Sequence, residues 1–241
     1  MIWVAPWLVL AAAAEPASAP PRKPPTEQAD PHTAEMQLAR YSDCVVHDRP
    51  FRETALQYLR LPAESSKATA LAKKLIRPDC FHKAIPDSLG PTASERSDRL
   101  GKMSAASFDV YTLEMRPAAY RNALYPALYR YSFGKTGPGA ITDKPPLSVS
   151  AEWDEMPNPL PEGWRVRRAI GDCVARGHPQ AAHRFVVSKP WSDAETAEIP
   201  EISTGLAECL PVGQTVSLGR EDIRGIVGEA LYKLAMVEAP K

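Results

Sequence analysis

The feature that most constrains this chain is a doubled cysteine interval. Cys44 lies in YSDCVV (residues 41–46) and Cys173 in IGDCVA (residues 170–175), and each has a second cysteine 36 positions downstream, Cys80 and Cys209. A repeated interval in similar surroundings predicts two related units, each closed by its own covalent link. Four cysteines permit three pairings, and sequence alone does not decide among them. Equal intervals in matching contexts favour Cys44 with Cys80 and Cys173 with Cys209. Closing a loop of that length contributes on the order of 4 kcal/mol under the chain-entropy description, a large fraction of the ~5–15 kcal/mol that holds an ordinary domain together.

Disulfides belong to oxidising compartments, and the N-terminus offers a route there. Residues 1–14 (MIWVAPWLVLAAAA) are uncharged and almost wholly apolar. They are too short for a bilayer span of about 20 residues but fit a signal peptide, with Ala12-Ala13-Ala14 as the cleavage site before Glu15. No Lys or Arg precedes the apolar run, which leaves a retained short anchor as the alternative. The expected protein is exported, periplasmic or secreted, with no transmembrane segment after cleavage. The remaining residues, about 227, can bury a sizeable core. Across the chain 29 basic and 29 acidic side chains balance to zero. A polyphosphate-binding surface needs an excess of Lys and Arg, so nucleic acid is not an expected partner.

Residues 15–33 are Pro-rich and read as an extended tether. Helical spacing then runs through Ala34, Leu38, Tyr41 and Val45 into Cys44, with Thr33 as N-cap, and through Val166, Ala169, Ile170 and Val174 past Cys173, with Gly177 as a left-handed C-cap. Pro50 and Pro179 each stand six residues after a cysteine and suit a helix's first turn. The helices they open bury Ala55, Leu56 and Leu59 in one half and Ala181, Ala182 and Phe185 in the other. Ala68, Leu71 and Leu75 carry a third stripe toward Cys80. Ser192 to Glu195 has capping-box spacing, but Pro200 and Gly205 predict that the stretch toward Cys209 is two short pieces. RPAAYRNALYPALYR (residues 116–130) matches GREDIRGIVGEALYK (residues 219–233). Ile223, Ile226, Val227, Ala230, Leu231 and Leu234 form one face of the latter, and Pro126 should kink the former. Gly225 and Gly228 suit close helix contact inside their own unit. TVSL near Thr215 is the one short strand candidate.

The expected fold is all-α: helical repeat 1 over 34–133 with an insertion at about 81–112, a Pro-rich connecting segment over 134–163, and helical repeat 2 over 164–241. Trp153 and Trp164 suggest that the connecting segment packs on something. The DCV helix, Pro-started helix, second cysteine and terminal ALY-Arg/Lys helix resemble exported alphaproteobacterial proteins of unassigned activity. The resemblance implies architecture and carries no chemistry.

Candidate chemistry is sparse. Gly134-Lys135-Thr136 lacks the earlier glycine of a phosphate loop, since Tyr129 occupies that position. Cys44, His47, Cys80 and His82 could converge on zinc if reduced, but the second half carries Arg176 and Pro211 where those histidines would recur. The repeat keeps what a disulfide needs, so no metal or other cofactor is expected. Asp43 with His47 and Asp172 with His178 are possible base pairs. The most distinctive composition is YRNALYPALYRYSF: Tyr120, Arg121, Tyr125, Tyr129, Arg130 and Tyr131 are the candidate binding surface, because aromatic and arginine side chains dominate contact sites. The reading is a non-enzymatic binding or scaffold protein contacting a protein or envelope component. The alternative is an envelope hydrolase with a site between the repeats, using His178 or His183. Lipid binding ranks lower, because the helices lack a basic, aromatic membrane face.

Overall fold

Prolines set where most helices start, because a first-turn residue has no intrahelical use for the N–H that proline lacks. A computed structural model describes residues 31–62, 65–84, 116–147, 162–210 and 216–236, and these contain nine helices and no strand. The first five are α1 (Pro31–His47), α2 (Arg49–Leu59), α3 (Ser66–Lys74), α4 (Pro78–Ala84) and α5 (Pro117–Phe133). The remaining four are α6 (Glu162–Gly177), α7 (Pro179–Val187), α8 (Asp193–Cys209) and α9 (Arg220–Met236). Among the described residues no helix is long and apolar enough to cross a membrane. The expected signal segment, most of the tether and of the insertion, Trp153 with much of the connecting segment, and Thr215 lie outside the described residues.

Local chemistry explains several boundaries and corrects others. Ser65 accepts the Ala68 amide and Ser192 the Glu195 amide, capping α3 and α8. The α1 helix begins at Pro31, two residues before the expected cap at Thr33. Gly177 is helical and is not a left-handed cap; His178, with φ −130° and ψ 54°, makes the break before Pro179. The α8 helix is continuous through Pro200 and Gly205, not two pieces. Pro200 is exposed on its outer face, while a Cβ on Gly205 would lie 2.7 Å from the His178 ring, so this glycine serves a close approach and interrupts nothing.

The centre of the molecule is the pair α5 and α9, which make the most extensive helix contact. Each is buried far beyond a single stripe: Tyr120 to Tyr129 on α5 with Asn122 partly open, and Arg224 to Tyr232 continuously on α9. A Cβ on Gly225 would lie 2.5 Å from the Asn122 side chain, and one on Gly228 would lie 2.7 Å from Pro126. The two glycines thus serve contact across the halves, not within one unit as expected. The α1 helix packs on α5 and α6 on α9, while α7 reaches both central helices.

Both disulfides form. Cys44–Cys80 joins α1 to α4 with the Cα atoms 5.5 Å apart, and Cys173–Cys209 joins α6 to α8 with a 5.8 Å separation. All four cysteines are used. The one continuous core includes Ala55, Leu59, Ala181, Ala182 and Phe185, as the periodicity predicts, with Leu56 at its margin. Part of the connecting segment joins it: Ile141 is fully buried, and the Lys144 ammonium donates to the Leu234 carbonyl at 2.7 Å.

Candidate binding cleft

The expected Tyr/Arg surface on α5 is core. Tyr120, Arg121, Tyr125 and Tyr129 are buried, Arg130 is partly buried, and only Tyr131 is exposed. The cause is the α5–α9 pairing, which covers this helix on several sides. Burial raises the Tyr120 and Tyr129 hydroxyl pKa values well above the ordinary phenol value. Arg121 donates to the carbonyls of Leu59 at 2.8 Å, Leu61 at 2.9 Å and Tyr58 at 3.3 Å. It ties off the last turn of α2, whose carbonyls have no helical partner. Arg130 pairs with Asp43 at 2.7 Å and donates to the Val186 carbonyl. Tyr131 lies between the Arg52 guanidinium, 4.3 Å from its ring centre, and the His47 ring.

The histidines are engaged apart from one another. His178 bonds Glu208 at 3.0 Å and lies 3.8 Å from Glu201, and His183 bonds the Tyr129 hydroxyl at 2.8 Å. Burial and the neighbouring Arg184 lower the His183 pKa. The structure separates both expected base pairs. His47 bonds the Asp43 backbone carbonyl, while the Asp43 carboxylate takes Arg130; Asp172 takes Arg176. Asp79 lies within 4.8 Å of the Cys44 and Cys80 sulfurs, but both sulfurs are spent in the disulfide.

The place that gathers charge in a concavity is elsewhere. A cleft of about 280 Å³ opens between α6 and α9 beside Pro146 and Leu147. Gly171 sets its depth: a Cβ there would lie 2.5 Å from the Ile226 carbonyl oxygen, so only glycine lets α6 approach α9 this closely. Successive turns of α6 then present Arg168, Asp172 and Arg176, and one turn of α9 presents Glu229 and Lys233. Arg168 pairs with Glu229 at 2.8 Å, and Lys233 also pairs with Glu229. Burial alone would raise the Glu229 pKa, but Lys233 and Arg168 outweigh it and hold the carboxyl below its ordinary value. Arg176 pairs with Asp172 at 2.7 Å, and its buried Nε has no hydrogen-bond partner among the described residues. Apolar surface comes from Pro146, Leu147, Ala169, Ile226 and Ala230.

Apart from Asp172, sequence reasoning did not single out these charged residues. The available signal is their register. Arg168, Asp172 and Arg176 recur every four residues beside the Ile170–Val174 stripe, and Glu229 with Lys233 has the same spacing inside a buried helix.

A second charged cluster lies at the α7–α8 turn. Trp191 takes φ 62°, a left-handed conformation unusual for a bulky side chain. Its amide donates to Glu195 and its indole N–H to Glu35 at 2.6 Å. Glu195 is fully buried and pairs with Arg224 at 2.5 Å. The capping box is therefore one-sided: Ser192 caps, while Glu195 turns inward. Against known protein families, curated proteins and solved structures, the chain gives no match.

Proposed function

We propose that this is an exported, disulfide-stapled binding protein built from two diverged helical units, which holds a small ligand in the α6–α9 cleft. The cleft carries the reading. It approaches the ~300 Å³ lower bound of typical small-molecule sites and combines apolar walls with a few fixed polar groups. Its charged residues are ion-paired, an arrangement suited to holding and orienting a charged molecule.

Two observations support the duplication. Arg121 and Arg224 occupy corresponding places in the matched segments 116–130 and 219–233. Arg224 donates to the carbonyls of Phe185, Val186 and Ser188 at the end of α7, as Arg121 does at the end of α2. The halves also carry related hollows. A second one is lined by Ala39, Ala123, Pro126 and Arg130, the counterparts of Arg168, Ile226, Glu229 and Lys233, but Pro190 and Arg224 also line it and only about 10 Å³ remains. One hollow is closed by packing and the other is left open, which favours a use for the open one.

Export is tested by intact mass on protein recovered from outside the cytoplasm. The expected species begins at Glu15 with both disulfides formed; recovery with residues 1–14 attached and free thiols would remove the export reading. Binding is tested by a thermal-shift screen of small acids, alcohols, amines and sugars on the oxidised protein and on Ala169→Trp, which fills the cleft from an exposed position. At least one compound should shift the wild type alone. A screen in which the two proteins respond identically would remove the cleft as the ligand site.

A further inference from the structure

We propose that the Cys173–Cys209 bond is an exchange site for a dithiol reductant, and that reducing it frees residues 200–209 of α8 from the bundle. The two disulfides share one loop length but differ in access. Cys173 is exposed on α6 and lines the α6–α9 cleft, and Cys209 is only partly covered. Cys80, by contrast, is 1% exposed, with Cys44 partly covered. The Asp79 carboxylate also lies within 4.8 Å of both sulfurs of that first bond, where it opposes an approaching thiolate. Arg77 pairs with Asp79 and offsets part of the repulsion, so burial makes the larger difference. An attacking thiolate must reach one sulfur in line with the bond, so access decides which disulfide reacts in the folded protein.

The reaction transfers two electrons from the dithiol. One of its thiolates attacks the Cys173 sulfur, the S–S bond breaks, and Cys209 leaves as a thiolate that takes a proton from water. The second thiolate then attacks its own partner sulfur in the mixed disulfide and expels the Cys173 thiolate, which is protonated in turn. The reductant ends as a disulfide and the protein as two thiols. Exchange at Cys173 needs no ligand in the cleft.

The packing of α8 shows what the bond restrains. Of its 17 residues only Glu195, Ile202 and Gly205 are buried, and its main helix contacts among the described residues are α6 and α7. The start of α8 is fixed to α9 by the buried Glu195–Arg224 pair. Pro200 has no N–H to give the Thr196 carbonyl, so the helix is weakened there. Beyond it, Glu201 and Glu208 reach His178 and Glu201 also reaches Arg184, but ion pairs with exposed carboxylates hold little. Ile202, Leu206 and the close approach of Gly205 to His178 add a small contact. The covalent bond at Cys209 is the main tie on residues 200–209, and Pro200 is the hinge about which they turn once it opens.

The experiment is timed reduction of the oxidised full chain by dithiothreitol without denaturant, followed by alkylation with N-ethylmaleimide and peptide mapping by mass. Cys173 and Cys209 should be labelled about tenfold or more faster than Cys44 and Cys80. Hydrogen exchange on the singly reduced protein should then rise over residues 200–209 and stay unchanged over α5 and α9. Cys173→Ser with Cys209→Ser should show the same exchange pattern with no reductant present. Glutathione, a monothiol, should be trapped as a mixed disulfide on Cys173 when N-ethylmaleimide blocks the freed partner. Equal labelling of all four cysteines, or earlier labelling of Cys44 and Cys80, would overturn the exchange site. An adduct on Cys209 alone, or on neither cysteine, would overturn the role of Cys173. Selective reduction with unchanged exchange over 200–209, or with exchange raised across the whole protein, would overturn the release of α8.

Discussion

Removing either disulfide should destabilise the protein by a similar, large amount. Each bond closes a loop with the same sequence separation of 36 residues. Chain entropy then assigns each about 4 kcal/mol. Burial separates the two. Cys80 is 1% exposed, whereas Cys173 is exposed and Cys209 only partly covered. Truncating the first pair therefore also leaves a small void near α1 and α4, adding about 1 kcal/mol. Cys44→Ala with Cys80→Ala should lower the stability by about 5 kcal/mol, and Cys173→Ala with Cys209→Ala by about 4 kcal/mol. At ~2–4 °C per kcal/mol for a protein of this size, either change lowers Tm by roughly 8–20 °C. Guanidinium unfolding followed by circular dichroism on the two double variants measures both. A loss below ~1 kcal/mol for either pair, or a larger loss for the second pair, would refute the reasoning from loop length and burial.

Gly171→Ala should cost about 1–3 kcal/mol, since the added methyl meets the Ile226 carbonyl at 2.5 Å and overpacking outweighs the gain in helix propensity. Gly163→Ala, with no atom of the described residues within 4 Å of the added methyl, should be neutral or slightly stabilising in the same thermal melts. Arg224→Met should lose about 3–5 kcal/mol, because it strips the buried Glu195 of its closest cation and removes one donor each from the Phe185, Val186 and Ser188 carbonyls. Adding Glu195→Leu should recover part of that loss in denaturant unfolding. Burial raises the Glu35 pKa against the opposing Trp191 bond and the Arg224 and Arg220 charges, with Glu195 adding to the rise. The folded state thus holds that proton more tightly than the unfolded chain, and Glu35 takes stability away as pH rises above the ordinary carboxyl value. Glu35→Gln should therefore melt higher than wild type near pH 7 and alike near pH 3; a lower Tm at pH 7 would contradict the sign.

The parts of the fold readable from sequence are those set by local chemistry. Pro50 and Pro179 mark helix starts, Ser192 marks a cap, and the apolar spacing around Cys44 and Cys173 marks two buried stripes, because each depends on neighbours a few residues away. The misreadings share one cause. Gly205 looks like a breaker until the His178 ring is found against it, and Gly225 and Gly228 look internal to one unit until α5 is found against them. A glycine's role is decided by which backbone comes near it, and that partner is far away in sequence.

The same reasoning explains why the α5 tyrosines misled and the cleft stayed hidden. Aromatic residues beside arginine suit a contact surface, but they suit equally a central helix whose arginine ties off a neighbouring helix end. Arg121 does the latter through three carbonyls. The cleft residues carry the opposite signature, charges where periodicity demands apolar side chains. Glu229 on a helix buried from Arg224 to Tyr232 has no purely packing reason to be there, since its proposed counterpart in the first half is Pro126. A buried ion pair is seldom more stabilising than well-packed apolar residues of the same size. Glu229 held by both Arg168 and Lys233 is thus hard to explain by stability alone, which is the pattern expected if the cleft is the ligand site proposed for it.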